Sequence, residues 1–241
     1  MDIELTIVKN KAEMGKLAAQ IILGRLKVNP KLNLLVPTGL TPLKLYRELS
    51  KHPTAFTKAS FFNFDEYGIV HHGKFKFIPK NHPASYRRYM HDHLFSKIKT
   101  TSYFPTEENA VTPGVFDQFI AMKGGVDICV TAIGQDGHTF GFNSPPADFH
   151  SVTRMVELNE HTRAVNKGLT GLETPTHAIT TGMKTGFLAK EIIVLVSERR
   201  KAEILKKILE SSITPRLPAT ILRKHQKCHW IIDEEAASLI R

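Results

Sequence analysis

Short apolar runs alternate with helical patterns along the whole chain, and that alternation leaves few folds open. Val126–Ile133 and Glu191–Val196 are mostly apolar without strict in-out alternation, as strands buried on both faces are. Lys11–Leu26 carries Met14, Leu17, Ala18, Ile21, Ile22 and Leu26 at helical spacing. Further strands are expected at Ile3–Val8, Leu32–Val36, Ser60–Phe64, His177–Thr180 and Cys228–Ile232. Further helices are expected at 41–50, 83–98, 114–122, 183–189 and 199–209, with a short one from Glu234. Thr41 suits an N-cap and Pro42 the first helical position; Ser197 is the expected cap of the helix from Arg199. The pattern predicts the α/β class, with a doubly wound, mainly parallel sheet in three α/β/α layers. The 241 residues can build one sizeable core, and one domain over residues 1–241 is expected.

Composition removes several classes of function. Hydrophobic residues make up 41% and charged residues 23%, ordinary values for a globular protein. No apolar stretch reaches the roughly 18–20 residues of a membrane span, so no membrane partner is expected. The start, Met1–Lys16, has early acids and no long apolar region, which argues against a secretory signal. Cys129 and Cys228 sit in apolar runs and read as free thiols in a reducing compartment. A cytoplasmic location is the resulting expectation. Net charge is +10, but the basic residues are spread along the chain, and no nucleic-acid signature accompanies them. No nucleic-acid partner is expected; an anionic, phosphorylated substrate explains the charge equally well.

Three loops after expected strands carry the chemistry, where ligands bind in open parallel sheets. Pro37-Thr38-Gly39-Leu40-Thr41-Pro42 offers hydroxyls, a permissive glycine and free amides before a helix, which suits a phosphate. It lacks the Gly-Lys-Ser/Thr of a nucleotide-binding P-loop. Asn63-Phe64-Asp65-Glu66-Tyr67 pairs two carboxylates that raise each other's pKa, so a partly buried one can act as general base. Gly134-Gln135-Asp136-Gly137-His138 brings an aspartate two residues from a histidine, which can fix the ring tautomer. Lys201 opens a helix where a lysine opposes the dipole unless an anion binds. Phe142–His150 and Gly168–Pro175 are expected loops that cover the site.

PTGLTP (from Pro37), FNFDEY (from Phe62), HPASY (His82–Tyr86), GQDGH with Phe142-Asn143 close behind, RKA (Arg200–Ala202) and LPATIL (Leu217–Leu222) occur in one order. That order resembles the glucosamine-6-phosphate deaminase/isomerase family, which shares a superfamily with 6-phosphogluconolactonases. The resemblance runs from about residue 32 to the C-terminus. It implies a Rossmann-like fold and conversion of an amino-sugar 6-phosphate, gluco or galacto, to a ketose 6-phosphate with release of ammonia. By the resemblance, Asp65 moves a proton between C2 and C1, and His138, oriented by Asp136, helps open the ring. Thr38, Gly39, Leu40, Thr41 and Lys201 hold the phosphate; Lys167, with Arg163 as second choice, is the further cation. No metal or organic cofactor is called for, and a homo-oligomer is left open.

The chain departs from that family in one loop. Deaminases run from Asp-Gly-His through two residues to Phe-Asn-Glu-Pro. Here Thr139-Phe140-Gly141 precede Phe142-Asn143-Ser144-Pro145, so Ser144 stands where the ring-opening glutamate is expected. Asp148 and Glu157 are candidate substitutes for its carboxylate. Asp136-Gly137-His138-Thr139 also resembles the lactonase loop, in which the histidine activates water, but Tyr67 stands where lactonases carry arginine. More deaminase motifs survive than lactonase ones. A non-catalytic sugar-phosphate-binding regulator is the third reading.

Overall fold

The computed structural model describes residues 5–240; the first two residues of the expected strand Ile3–Val8 lie outside them. The chain begins β1 (Leu5–Val8), α1 (Lys11–Val28), β2 (Asn33–Val36), α2 (Leu43–Leu49), β3 (Ser60–Asn63). The middle runs β4 (Asp65–His71), β5 (Lys74–Phe77), α3 (Tyr86–Met90), β6 (Thr101–Tyr103), α4 (Val115–Met122), β7 (Ile128–Ala132). It ends β8 (Arg154–Glu157), α5 (Glu160–Thr170), β9 (His177–Thr180), α6 (Met183–Phe187), β10 (Glu191–Val196), α7 (Ala202–Glu210), β11 (Cys228–Asp233).

Seven strands form one sheet in the order β1-β11-β10-β7-β2-β3-β6, every pair parallel. Its inner strands are buried on both faces because alternate residues serve two cores. Leu34, Val36, Ile128, Val130, Ile193 and Leu195 pack under α1 and α2. Leu35, Cys129, Ile192, Val194 and Val196 pack under α4 and α7 on the other side. The doubly wound three-layer expectation is met. Strand order runs outward from β2 to β6 and, after the chain returns, outward from β7 through β10 to β11, which lies beside the first strand, β1. The switch between the two directions lies between β2 and β7, so a crevice opens at their carboxyl ends.

A second sheet departs from the expectation. It is antiparallel, in the order β5-β4-β9-β8. Only Phe64 separates β3 from β4, so the chain leaves one sheet and enters the other across a single residue. His177–Thr180 is a strand as expected, but it belongs to this sheet. β4 begins with two acids and contains Gly68, features that read as a turn. Gly68 is required because the Phe75 ring lies over it: a Cβ would come within 2.2 Å of Phe75 Cζ.

Local signals were also misread. Pro42, not Thr41, caps α2, and no side chain bonds the exposed amides there. The expected helix 83–98 starts only at Tyr86, because Ser85 accepts from the Arg88 amide, and it continues as a π-helical turn, His91–Phe95. Ser197 does not cap the following helix; its hydroxyl is buried without a partner. A 3-10 turn, Arg199–Lys201, comes first. α5 covers the start of the expected loop 168–175: Asn159 caps it and Gly171, at φ 70°, ends it. Among the described residues no helix is long and apolar enough to cross a membrane.

Candidate active site

Four loops meet at the carboxyl ends of four neighbouring strands, β10, β7, β2 and β3. They enclose a cleft of about 230 Å³. Thr38, Gly39, Leu40, Thr41, Asp65, Asp136, His138 and Lys201 all line it. Lys167 does not: it stands on α5 and its ammonium is taken by Glu173. Arg163 is also absent from the lining. Arg200, which the sequence reading passed over, lines the cleft beside Lys201. The RKA motif contained it, and that was the one signal available.

The Pro37–Thr41 loop is set by tyrosine hydroxyls behind it. Tyr46 donates to the Pro37 carbonyl and Tyr89 to the Gly39 carbonyl, the latter at 2.5 Å. Gly39 sits at φ 104°, a left-handed conformation that a side chain resists. Among the described residues the amides of Thr38, Gly39, Leu40 and Thr41 donate to no protein acceptor. Four free N–H groups on the wall of one cleft suit an anion.

Asp65 lies at the joint between the two sheets, 5% exposed. Burial, and then the charge of Glu66, push its carboxyl up to about 8; a long contact from the Thr180 hydroxyl, 3.5 Å, opposes them. The loop after β7 closes over it at Gly141, φ 85°, where a Cβ would come within 3.0 Å of Asp65 Oδ2 and 2.5 Å of Thr180 Oγ1. The neighbouring acid has a different task. Glu66, fully buried, accepts from the Ser85 hydroxyl and from the amides of Tyr67, Tyr86 and Arg87. It thereby satisfies the start of α3, and it does not line the cleft.

His138 and Asp136 form a pair. The ring Nδ1 meets Asp136 Oδ1 at 2.5 Å, and the His138 amide donates to the same oxygen at 3.1 Å. Burial would raise the Asp136 carboxyl, but the bonds and charge of His138 outweigh it and hold it at about 2. An ionised Asp136 keeps the proton on Nδ1 and leaves Nε2 to accept or deliver one. Gly134 makes room for the ring: a Cβ there would fall 2.1 Å from His138 Nδ1.

Lys201 donates to the Ile133 carbonyl at 2.6 Å. Burial, and then repulsion from Arg200, pull its ammonium down to about 8 against the attraction of Asp136 and Glu198. Tyr86 and Phe142 form part of one wall, their rings stacked with centroids 6.1 Å apart, and Tyr67 lies behind with its hydroxyl 2.8 Å from that of Tyr86. Ser144 lines the cleft, whereas Asp148 and Glu157 do not. Asp148 accepts from the His150 amide, and Glu157 is exposed on β8. Among the described residues that line the cleft, Asp65 and Asp136 are the carboxylates, and no cluster of His, Cys, Asp or Glu has the makings of a metal site.

Known proteins share this arrangement. The family described as "Glucosamine-6-phosphate isomerases/6-phosphogluconolactonase" matches residues 9–230. A glucosamine-6-phosphate deaminase of Shouchella clausii is 37% identical over 247 residues, covering 96% of this chain and 95% of its own. Glucosamine-6-phosphate deaminase 2 of Bacillus subtilis is 33% identical, covering 99% and 98%. The solved structure of a monomeric glucosamine-6-phosphate deaminase superposes with a TM-score of 0.86 at 31% identity, covering 98% of this chain and all of that one. A 6-phosphogluconolactonase of Thermotoga maritima shares the fold, with a TM-score of 0.72 at 16% identity over 95% of this chain and 99% of its own. The chain belongs to the glucosamine-6-phosphate isomerase/6-phosphogluconolactonase family.

Proposed function

We propose that the chain is a hexosamine-6-phosphate deaminase that converts an amino-sugar 6-phosphate into a ketose 6-phosphate and ammonia. The carrying observation is Asp65: a carboxyl buried on the wall of a cleft that also holds free amides and a lysine, with its pKa raised to about 8. Converting a 2-amino aldose to a 2-ketose moves one hydrogen from C2 to C1 and exchanges the nitrogen for an oxygen from water. The first part needs a single group that takes a proton from one carbon and returns it to the next. A buried carboxyl with a pKa close to the working pH suits both halves of that transfer. The substrate's own ammonium at C2 favours the ionised form of Asp65 on binding.

The other groups fall into place around it. Thr38, Gly39, Leu40, Thr41 and Lys201 hold the phosphate at one end, fixing the sugar carbons beside Asp65. His138 opens the ring by moving a proton through Nε2 while Asp136 stabilises the imidazolium. Ser144 takes the place of a third carboxylate, so ring opening runs on the Asp136–His138 pair alone. No step calls on a metal or an organic cofactor.

The test is ammonia release from glucosamine 6-phosphate and galactosamine 6-phosphate. Release from either, abolished in His138→Ala, supports the reading and names the epimer. Hydrolysis of a 6-phosphogluconolactone without ammonia release would replace it by the lactonase reading. Binding of the sugar phosphates with neither reaction would leave a regulator.

A further inference from the structure

We propose that Arg200 is the second cation on the substrate's phosphate and that Glu198 is the positioning residue that presents it. This rests on the sugar-phosphate reading of the cleft and goes beyond it.

The segment after β10 is built in an unfavourable way that calls for a reason. Glu198 stands at φ 80°, a conformation that residues with a Cβ avoid. It is held there by Asp233, a buried carboxylate at the end of the neighbouring strand β11. Both Asp233 oxygens accept the Glu198 amide at 3.1 Å, and Oδ1 also accepts the Ala236 amide at 2.9 Å. The Glu198 amide is thereby fixed from behind. Its side chain reaches two cations: Lys11, on the first turn of α1, and the Nε of Arg200. Its carbonyl accepts the Lys201 amide at 2.9 Å. One strained residue therefore fixes both cleft cations, Arg200 through its carboxylate and Lys201 through its backbone.

Glu198 grips Arg200 by the inner nitrogen alone. Among the described residues the two terminal nitrogens of Arg200 have no protein acceptor. A guanidinium held at Nε with its outer pair free, on the wall of a cleft, is prepared for an oxyanion. Charge points the same way. Lys11 and Arg200 share the Glu198 carboxylate, and Lys201 feels Asp136 and Glu198, so three cations face two carboxylates and a phosphate supplies the missing negative charge. This cation comes from the β10 turn and not from α5, where Lys167 is occupied by Glu173.

The experiment is calorimetric titration of the full chain with inorganic phosphate and with glucosamine 6-phosphate. The variants are Arg200→Ala, Arg200→Lys, Glu198→Gln and the Arg200→Ala/Glu198→Gln double substitution, each checked for folding by thermal unfolding. Arg200→Ala is expected to weaken phosphate on the order of tenfold, the loss of a charge-assisted contact. Arg200→Lys is expected to recover part of it, because a lysine lacks the fork. Glu198→Gln is expected to weaken phosphate in the presence of Arg200 and to add nothing in its absence. Parent-like phosphate affinity in Arg200→Ala overturns the role of Arg200. An equal Glu198→Gln effect with and without Arg200 overturns the positioning role. If Arg200→Ala fails to fold, the lysine variant decides: parent-like affinity there excludes a fork contact. Arg200-dependent phosphate binding in a protein that releases no ammonia would leave this inference standing and remove the deaminase reading. Ammonia release with Arg200-independent phosphate binding would do the reverse.

Discussion

Asp65 shows how one side chain can set both activity and stability. An unfolded aspartate ionises near 3.8 and the folded one near 8. Its folded pKa is raised, so the associated stability is fully present below 3.8 and is lost as pH rises through 8. Asp65→Asn keeps the shape and removes the charge. It is expected to abolish turnover, leave sugar-phosphate binding nearly intact, and raise the melting temperature by about 4 °C at alkaline pH, with a smaller gain in mild acid. Calorimetry at two pH values checks this; a lower melting temperature at alkaline pH would contradict the burial argument. On the proposed roles, Asp65 and Lys201 together set the rate profile. Below about 8 Asp65 is protonated and cannot take a proton, and above about 8 Lys201 loses its charge. The pH profile of kcat/KM should therefore be a narrow bell centred near 8. In Lys201→Arg the alkaline limb should vanish, since arginine stays charged. A limb that persists would place it on another group.

At the scale of elements, the loops are held from behind, and that is where small changes will be felt. Gly141→Ala introduces a Cβ 2.5 Å from Thr180 Oγ1 and 3.0 Å from Asp65 Oδ2, at a positive φ. It is expected to lower kcat by about 100-fold, more than it raises KM, because it displaces the base and not the phosphate. Steady-state kinetics with melting curves checks this, and a pure KM effect would mean the loop serves binding instead. Six of the seven parallel strands were legible in the sequence as apolar runs between amphipathic helices; β6, Thr101-Ser102-Tyr103, is short, polar and largely exposed, and was not. That the Pro37–Thr41 loop and the Asp136–His138 turn would line one cleft was legible for the same reason: they follow such strands. The antiparallel sheet was not. β4 starts with Asp65-Glu66 and β8 carries Arg154 and Glu157, so their patterns are polar, and their order depends on partners far away in sequence. Which of Asp65 and Glu66 is available to a substrate could not be read from their adjacency, which does not reveal that Ser85 and three amides claim Glu66. Arg200 did not stand out, because a sequence cannot show that Glu198 takes only its inner nitrogen.

Across the whole molecule, the end of the sheet opposite the cleft carries a lock of its own. Glu191, at the start of β10, is 3% exposed and binds Arg25 from α1, Lys227 and His229 at 2.7–2.8 Å. Burial would raise its carboxyl, but the bonds from Arg25 and Lys227 outweigh that and hold it at about 2. A depressed pKa gives stability that is present above 4.5 and lost as pH falls toward 2. Glu191→Gln is expected to cost about 1–2 kcal/mol near neutral pH, the partners being partly solvent-exposed. The difference from the parent should close in strong acid. Urea midpoints across that range test it, and a difference independent of pH would mean the loss is one of packing.

The single-residue joint at Phe64 divides the labour of the cleft between two sheets. The parallel sheet carries the proposed phosphate grip, on the loops after β2 and β10, and the Asp136–His138 pair after β7. The antiparallel sheet carries Asp65, the proposed base, at the start of β4 and holds Thr180 in register beside it. On the proposed roles, the phosphate grip and the ring-opening pair sit on one frame and the proton-transferring carboxyl on the other, and the two share one hinge of chain. A lineage could keep its hold on phosphorylated sugars while trading one reaction for another, by rewriting only the smaller frame.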